Sequence, residues 1–144
     1  MSEQENIRIA EKFFQAFNAH DLDRAKPFEA SNYKFKVNGD PEPAMTADQS
    51  HAYIQVFFTA FPDLNFELTE KVAQGEFAVI NWIARGTHTG NLRTPSGNVI
   101  PPTGKKSAVH GSSTYQIRNG KAVRCLVFWD VATMLMQLGL LPPM

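Results

Sequence analysis

Apolar residues recur every third or fourth position early in the chain and every second position in its latter half, so helices are expected first and strands after them. Ile7, Ala10, Phe14 and Phe17 keep helical spacing, and Phe13 widens the stripe, which predicts an amphipathic helix to about Ala19. Ser2-Glu3-Gln4-Glu5 has the form of a capping box at its start. Asn18 to Asp21 break the pattern, Asp21 is placed to cap a second short helix from Leu22 to about Phe28, and His20 reads as a solvated turn residue. Tyr33, Phe35 and Val37 alternate with polar residues, predicting a half-buried strand over 31–37 that ends at Asn38-Gly39. Pro41 and Pro43 read as a spacer. Thr46-Ala47-Asp48-Gln49 is a second capping box, and its helix presents Tyr53, Ile54, Phe57, Phe58 and Phe61 before Pro62 stops it.

The second half alternates with the period of strands. Leu64, Phe66 and Leu68 open one, Gln74-Gly75 turns the chain, and a long strand follows from Phe77 to His88. Ala78, Ile80, Trp82, Ala84 and His88 share one of its faces; Val79, Asn81, Ile83 and Arg85 share the other. Gly90 to Lys105 is a proline- and glycine-rich loop, of a length that usually marks a lid or an interface element, unless it is an ordered crossing over the sheet. Residues 106–117 and 121–129 form a last hairpin through Arg118-Asn119-Gly120. With a bulged turn, Ile117 faces Lys121 across the ladder. Val109, Gly111, Ser113 and Tyr115 then share a face with Val123, Cys125, Val127 and Trp129, while His110, Ser112, Thr114 and Gln116 share the other with Arg124, Leu126, Phe128 and Asp130. A two-residue turn would change those cross-strand neighbours.

Helices followed by a strongly bent antiparallel sheet make a single α+β domain over residues 1–144, a cone closing around a pocket. Composition narrows the partners. Fourteen basic and 14 acidic side chains cancel, and no run of lysine and arginine offers a phosphate-tracking groove, so nucleic acid is not expected. No apolar run reaches membrane-spanning length and the N-terminus lacks a signal-peptide pattern, so a cytoplasmic protein is expected. The single cysteine, Cys125, lies in an apolar strand and reads as a buried, inert thiol.

The candidate chemistry is sparse. Asp130 directly precedes a short helix, Val131 to Leu138, where a carboxylate caps free amides. Capping stabilises the ionised form; a general acid would instead need apolar burial. His88, at the end of its strand beside Gly86 and Gly90, is a candidate base or hydrogen-bond donor, or else a histidine tied to backbone. His110 shares a face with Asp130 and is a candidate for ligand contact; His51 is expected to face solvent. Four scattered histidines give no metal-ligand spacing, so no metal is expected. Asn81 and Arg85 are open to substrate contact or to an ordinary ion pair. Ser112, Ser113 and Thr114 lack the Gly-x-Ser-x-Gly elbow of a serine hydrolase. Phe14, Phe17, Phe57, Trp82, Val127 and Trp129 are the candidate cavity walls.

The spaced set Arg85-Gly86-Thr87-His88-Thr89-Gly90, Pro101-Pro102-Thr103-Gly104-Lys105, Asn119-Gly120-Lys121, Asp130 and Gln137-Leu138-Gly139, with Phe17-Asn18 closing the first helix, resembles the SnoaL-like polyketide cyclases. These belong to the nuclear-transport-factor-2-like superfamily, with ketosteroid isomerase. The resemblance implies a cone-shaped α+β barrel of the cystatin-like type, with three N-terminal helices against a curved antiparallel sheet. It also implies a homodimer, a pocket for a small apolar ring-bearing molecule, and no cofactor. In the characterised cyclases an aspartate of the last strand works as acid and base, helped by a glutamine and a histidine of the neighbouring strand. Aligned on Gly120-Lys121 and Gln137-Leu138-Gly139, those positions hold Val127, Gly111 and Ser113 here. Two expectations follow. One is a cofactor-independent acid–base enzyme (cyclase, isomerase, dehydratase or hydrolase) acting on a ring-bearing carbonyl or ester compound, with His88 and Asp130 as its catalytic candidates. The other is a non-catalytic ligand-binding or dimerisation module, since one fold hosts many functions.

Overall fold

The structure is a computed structural model that describes residues 2–142. Helix α1 (Glu3–Asn18) starts where Ser2 Oγ accepts the Glu5 amide at 3.1 Å. Glu3 of the same turn instead reaches across to accept the Gly75 amide at 2.8 Å. A 3-10 helix follows at Leu22–Phe28, without the side-chain cap expected of Asp21. Helix α2 (Ala47–Ala60) carries the complete capping box of Thr46 and Gln49. The strands are β1 (Glu29–Val37), β2 (Asp40–Met45), β3 (Asn65–Gln74), β4 (Phe77–Thr87), β5 (Leu92–Arg93), β6 (Val99–Ile100), β7 (Lys106–Arg118) and β8 (Lys121–Trp129), and α3 spans Val131–Gln137.

Six strands form one curved sheet in the order β2-β1-β8-β7-β4-β3. It is not wholly antiparallel as expected, because β1 lies parallel to β8. Nor is the Pro41–Pro43 segment a spacer: it is strand β2 at the sheet edge. An edge strand has a neighbour on one side only, so prolines that cannot donate are tolerated there. The long loop after β4 holds the two-stranded hairpin β5–β6, and buried Leu92 anchors it.

The last hairpin differs from the bulged turn in an instructive way. Asn119 and Gly120 both have positive φ, 52° and 77°, which suits a two-residue turn pairing Arg118 with Lys121. A bulge then follows, with Ile117 opposite Ala122 and Gln116 opposite Arg124, so Val123 is skipped. Together these slide the ladder by one full pleat relative to expectation. The faces are therefore the expected ones, but the neighbours are new: Ser113 lies opposite Val127, and Gly111 opposite Trp129.

The helices cover the concave face. Toward the turn end of the hairpin the space is filled: Ala10, Phe13, Tyr33, Ala78, Ile80, Tyr115 and Cys125 are all buried. The Phe13 ring lies 4.8 Å from Tyr115 and 6.0 Å from Tyr33. Burying a ring of that size contributes roughly 2–3 kcal/mol. Cys125 is the inert thiol expected, its pKa pushed up to about 12 by burial despite hydrogen bonds from Tyr115 and Tyr33. At the other end β8 stops opposite Gly111, and Gln137 of α3 takes over the vacant edge of β7. Its carboxamide accepts the Ala108 amide at 2.8 Å and donates to the Ala108 carbonyl at 3.0 Å. That clamp seats Met134 and Leu138 inward, so this end is roofed but not filled. Among the described residues no helix is long and apolar enough to cross a membrane.

Candidate functional site

The unfilled end of the cone is a cavity. Each wall comes from the inward face of one element: Phe14 and Phe17 from α1, Tyr53, Ile54 and Phe57 from α2, Phe35 from β1, and Phe66 from β3. Trp82, Ala84 and Gly86 of β4, Val109, Ser113 and Tyr115 of β7, and Val127 and Trp129 of β8 complete the sheet side, with Met134 of α3 at the margin. About 100 Å³ is open to the centre of a water-sized sphere, several times what one ordered water requires. Ten of the lining residues are aromatic, and none is aspartate, glutamate, histidine, lysine or arginine. Such a surface holds apolar rings by area and by edge-to-face contact. The rings already meet one another that way, Phe57 with Trp129 at 5.4 Å and Phe66 with Trp82 at 5.1 Å.

Polar atoms enter at few points. Trp82 Nε1 donates to Ser113 Oγ at 3.0 Å, and Trp129 Nε1 donates to Tyr53 OH at 3.2 Å. Burial raises the Tyr53 pKa, opposed by the hydrogen bond from Trp129, so the phenol is protonated at neutral pH. Gly111 is what allows the Trp82 position: a Cβ there would lie 2.2 Å from two carbons of the indole. The tryptophan thus occupies the room that a side chain at 111 would need.

Six of the nine sequence-derived site residues, Phe14, Phe17, Phe57, Trp82, Val127 and Trp129, meet at this cavity. The other three do not. Asp130 caps α3, its Oδ1 accepting the Thr133 amide at 3.0 Å and its Oδ2 the Thr133 hydroxyl at 2.6 Å. Those bonds hold its carboxyl below the usual carboxylate range, opposite to what a general acid needs. Asp130 and His110 both border an open groove on the convex side of the sheet, with Asn38, Glu70, Ser112 and Phe128. His88 is wholly buried. Its Nδ1 accepts the Thr103 amide at 3.2 Å and lies 3.0 Å from the Thr103 hydroxyl, and its backbone pairs with Gly104 and Lys105. Burial lowers its pKa, offset in part by the backbone of Gly90. Of the two readings left open for His88, the structure holds the tied histidine: just past the end of β4, its contacts with Thr103 and with the Phe61 ring 5.4 Å away keep a neutral imidazole at the strand–loop junction.

The remaining polar candidates are structural. Arg85 pairs with Glu67 at 2.6 Å, and Asn81 donates to Glu70 at 2.9 Å. His51 is not solvent-facing but paired with half-buried Glu29 at 2.6 Å. His20, expected in solvent, stacks on Phe58 at 4.4 Å and bonds the Leu64 carbonyl at 2.7 Å. Among the described residues no three His, Cys, Asp or Glu side chains come together as a metal site. Tyr53, Phe35, Phe66, Ser113 and Met134 were not among the sequence-derived site residues. Tyr53 stands four positions before Phe57 on one helix face, and Ser113 shares the Val127 face, so both carried a positional signal.

The family model described as SnoaL-like polyketide cyclase matches residues 7–138. A search of curated proteins returns no sequence match. Among solved structures the chain is similar to AclR of Streptomyces galilaeus, with a TM-score of 0.85 and 20% identity over 99% of this chain and 89% of that one. It is also similar to IdmH of Streptomyces antibioticus, at a TM-score of 0.79 and 24% identity over 93% of this chain and 98% of that one. TsrD of Streptomyces laurentii gives 0.81 and 20%, covering 98% and 99%. At these identities the structural likenesses carry the fold alone.

Proposed function

The chain belongs to the SnoaL-like polyketide cyclase family, and from that premise we propose that it binds a small, uncharged, ring-bearing molecule in its aromatic cavity. The carrying observation is the lining itself: ten aromatic side chains and no charged group. An ionised ligand buried there would find no partner for its charge, whereas an uncharged ring strands no charge and packs against the aromatic walls. Aldol chemistry through a carboxylate of the last strand is not part of this reading. Val127 stands where the resemblance puts that acid, and Ser113 opposite it is spoken for by Trp82. A second, enzymatic reading is favoured by Tyr53, a protonated phenol on the cavity wall that is able to polarise a carbonyl without transferring its proton.

The test is a titration with planar aromatic ketones followed by Trp82 and Trp129 fluorescence. Saturable quenching is expected for the wild type and weaker binding for Val127→Phe, which fills the cavity with a further ring. No quenching at any concentration overturns the proposal. Turnover of a bound ketone or ester would favour the enzymatic reading, and binding without turnover the purely binding one. The reading includes a homodimer and a cytoplasmic setting. Phe128 and Val72, 57% and 59% exposed, support the dimer through the convex sheet face. Sedimentation equilibrium tests the dimer; cell fractionation tests the setting.

A further inference from the structure

Two polar points of the cavity are built alike, and their construction has a direction. In each, an indole N–H donates to a hydroxyl, from Trp82 to Ser113 and from Trp129 to Tyr53. An indole nitrogen is a donor only, so in both pairs the hydroxyl oxygen is the acceptor and keeps its own proton for another partner. Among the described residues neither hydroxyl donates to any protein group, and both line the cavity. The side chains around them are rings and aliphatic groups, with Ser107 and Tyr115 the other hydroxyls of the lining, and among the described residues neither of those accepts from Ser113 or Tyr53. Two hydroxyl donors without acceptors inside an apolar space are a demand that the ligand must meet.

We infer that Ser113 and Tyr53 determine ligand specificity by donating hydrogen bonds into the cavity, selecting an uncharged ring compound with acceptor oxygens, such as a ketone, quinone or lactone, over its hydrocarbon counterpart. This deepens the proposed function and rests on it. The tryptophans act as positioning residues: by occupying one lone pair of each hydroxyl they turn its proton toward the cavity. A carboxylate, although a stronger acceptor, is rejected because no cation lines the wall. Gly111 belongs to the same device, since it makes the room that lets the Trp82 ring lie where its N–H reaches Ser113.

The experiment uses a matched pair, 1-tetralone and tetralin, which differ at one carbonyl. Affinities of both are measured by calorimetry for the wild type, Ser113→Ala, Tyr53→Phe and the double variant, after circular dichroism has established that each is folded. The readout is the ratio of the two affinities, which cancels losses of packing common to both probes. The ratio is expected to move toward the hydrocarbon by about three- to tenfold per hydroxyl removed, the worth of one neutral hydrogen bond. Should one variant fail to fold, the other carries the test alone. Binding of both probes with the same ratio in every folded variant overturns this inference and leaves the pocket reading standing. If neither probe binds the wild type, the pocket reading falls, and the inference falls with it.

Discussion

Replacing Gly111 by alanine should destabilise the protein, although the same exchange within a strand ordinarily helps. Alanine restricts the unfolded chain more than glycine does, a gain of roughly 0.5–1 kcal/mol where the native backbone accepts it. At Gly111 the new Cβ would stand 2.2 Å from Cζ2 and Cη2 of Trp82 and 2.7 Å from Cε2. Carbon atoms pack at about 3.5 Å or more, so the ring must retreat by roughly 1.3 Å. It is held against doing so by its bond to Ser113 at 3.0 Å and by the Phe66 ring at 5.1 Å. Overpacking of this kind costs about 1–3 kcal/mol, and losing the indole hydrogen bond adds about 1 kcal/mol. Net of the entropic gain, about 2 kcal/mol of stability should be lost, which lowers Tm by roughly 4–8 °C for a chain of this size. Thermal unfolding followed by circular dichroism measures it. The decisive control is the same exchange in a Trp82→Phe background, where the ring ends short of the clashing carbons and the penalty should shrink toward zero. An unchanged or raised Tm for Gly111→Ala, or an equal penalty in both backgrounds, would refute the reasoning.

Three further outcomes are expected. Asp130→Ala should lose stability at neutral pH and keep ligand affinity. The folded carboxyl is held below its ordinary 3.8, so its contribution is present above that value and vanishes as pH falls through the folded pKa; urea midpoints of the two proteins should converge in acid. His88, with a folded pKa below its ordinary 6.5, binds its proton more readily when unfolded. Wild-type stability should therefore fall as pH drops below 6.5, by up to about 1.4 kcal/mol per pH unit, and His88→Gln should lack that component in a pH series of urea melts. Val127→Asp would place a carboxylate among aromatic rings; a cost on the order of 3 kcal/mol at pH 7, recovered on acidification as the raised pKa is crossed, is expected from the same melts.

The parts of the fold governed by local chemistry could be read from the sequence. The cap of α2 at Thr46, the alternation of Ala78, Ile80, Trp82 and Ala84, and the two faces of the last hairpin all depend on neighbours in sequence. The parallel pairing of β1 with β8 does not, because it joins segments about ninety residues apart through backbone groups that every residue has. Strand β2 was hidden by its prolines, which only an edge position tolerates. His20 and His51 show the same limit: each looked like a solvated polar residue, and each is taken up by a distant partner, Phe58 and the Leu64 carbonyl for one and Glu29 for the other. At the site, periodicity found the apolar walls but missed the polarity of the two hydroxyls, since that is set by tryptophan N–H groups arriving from other elements. His88 and Asp130 drew attention because they can ionise. Asp130 at the head of α3 already carried its capping signal, whereas what removes His88 from the cavity, the Thr103 contact, is tertiary.

The most direct test follows the two tryptophan indole N–H signals in a two-dimensional nitrogen–proton correlation spectrum while 1-tetralone is added. The chain has two tryptophans, and both indole nitrogens are bonded to the cavity hydroxyls. Ligand binding in the aromatic cavity should shift both indole signals in a saturable way and leave the backbone amides of His110 and Asp130 essentially in place. Saturable shifts confined to His110, Asp130 and their neighbours on the convex face, with both indole signals unmoved, would contradict it.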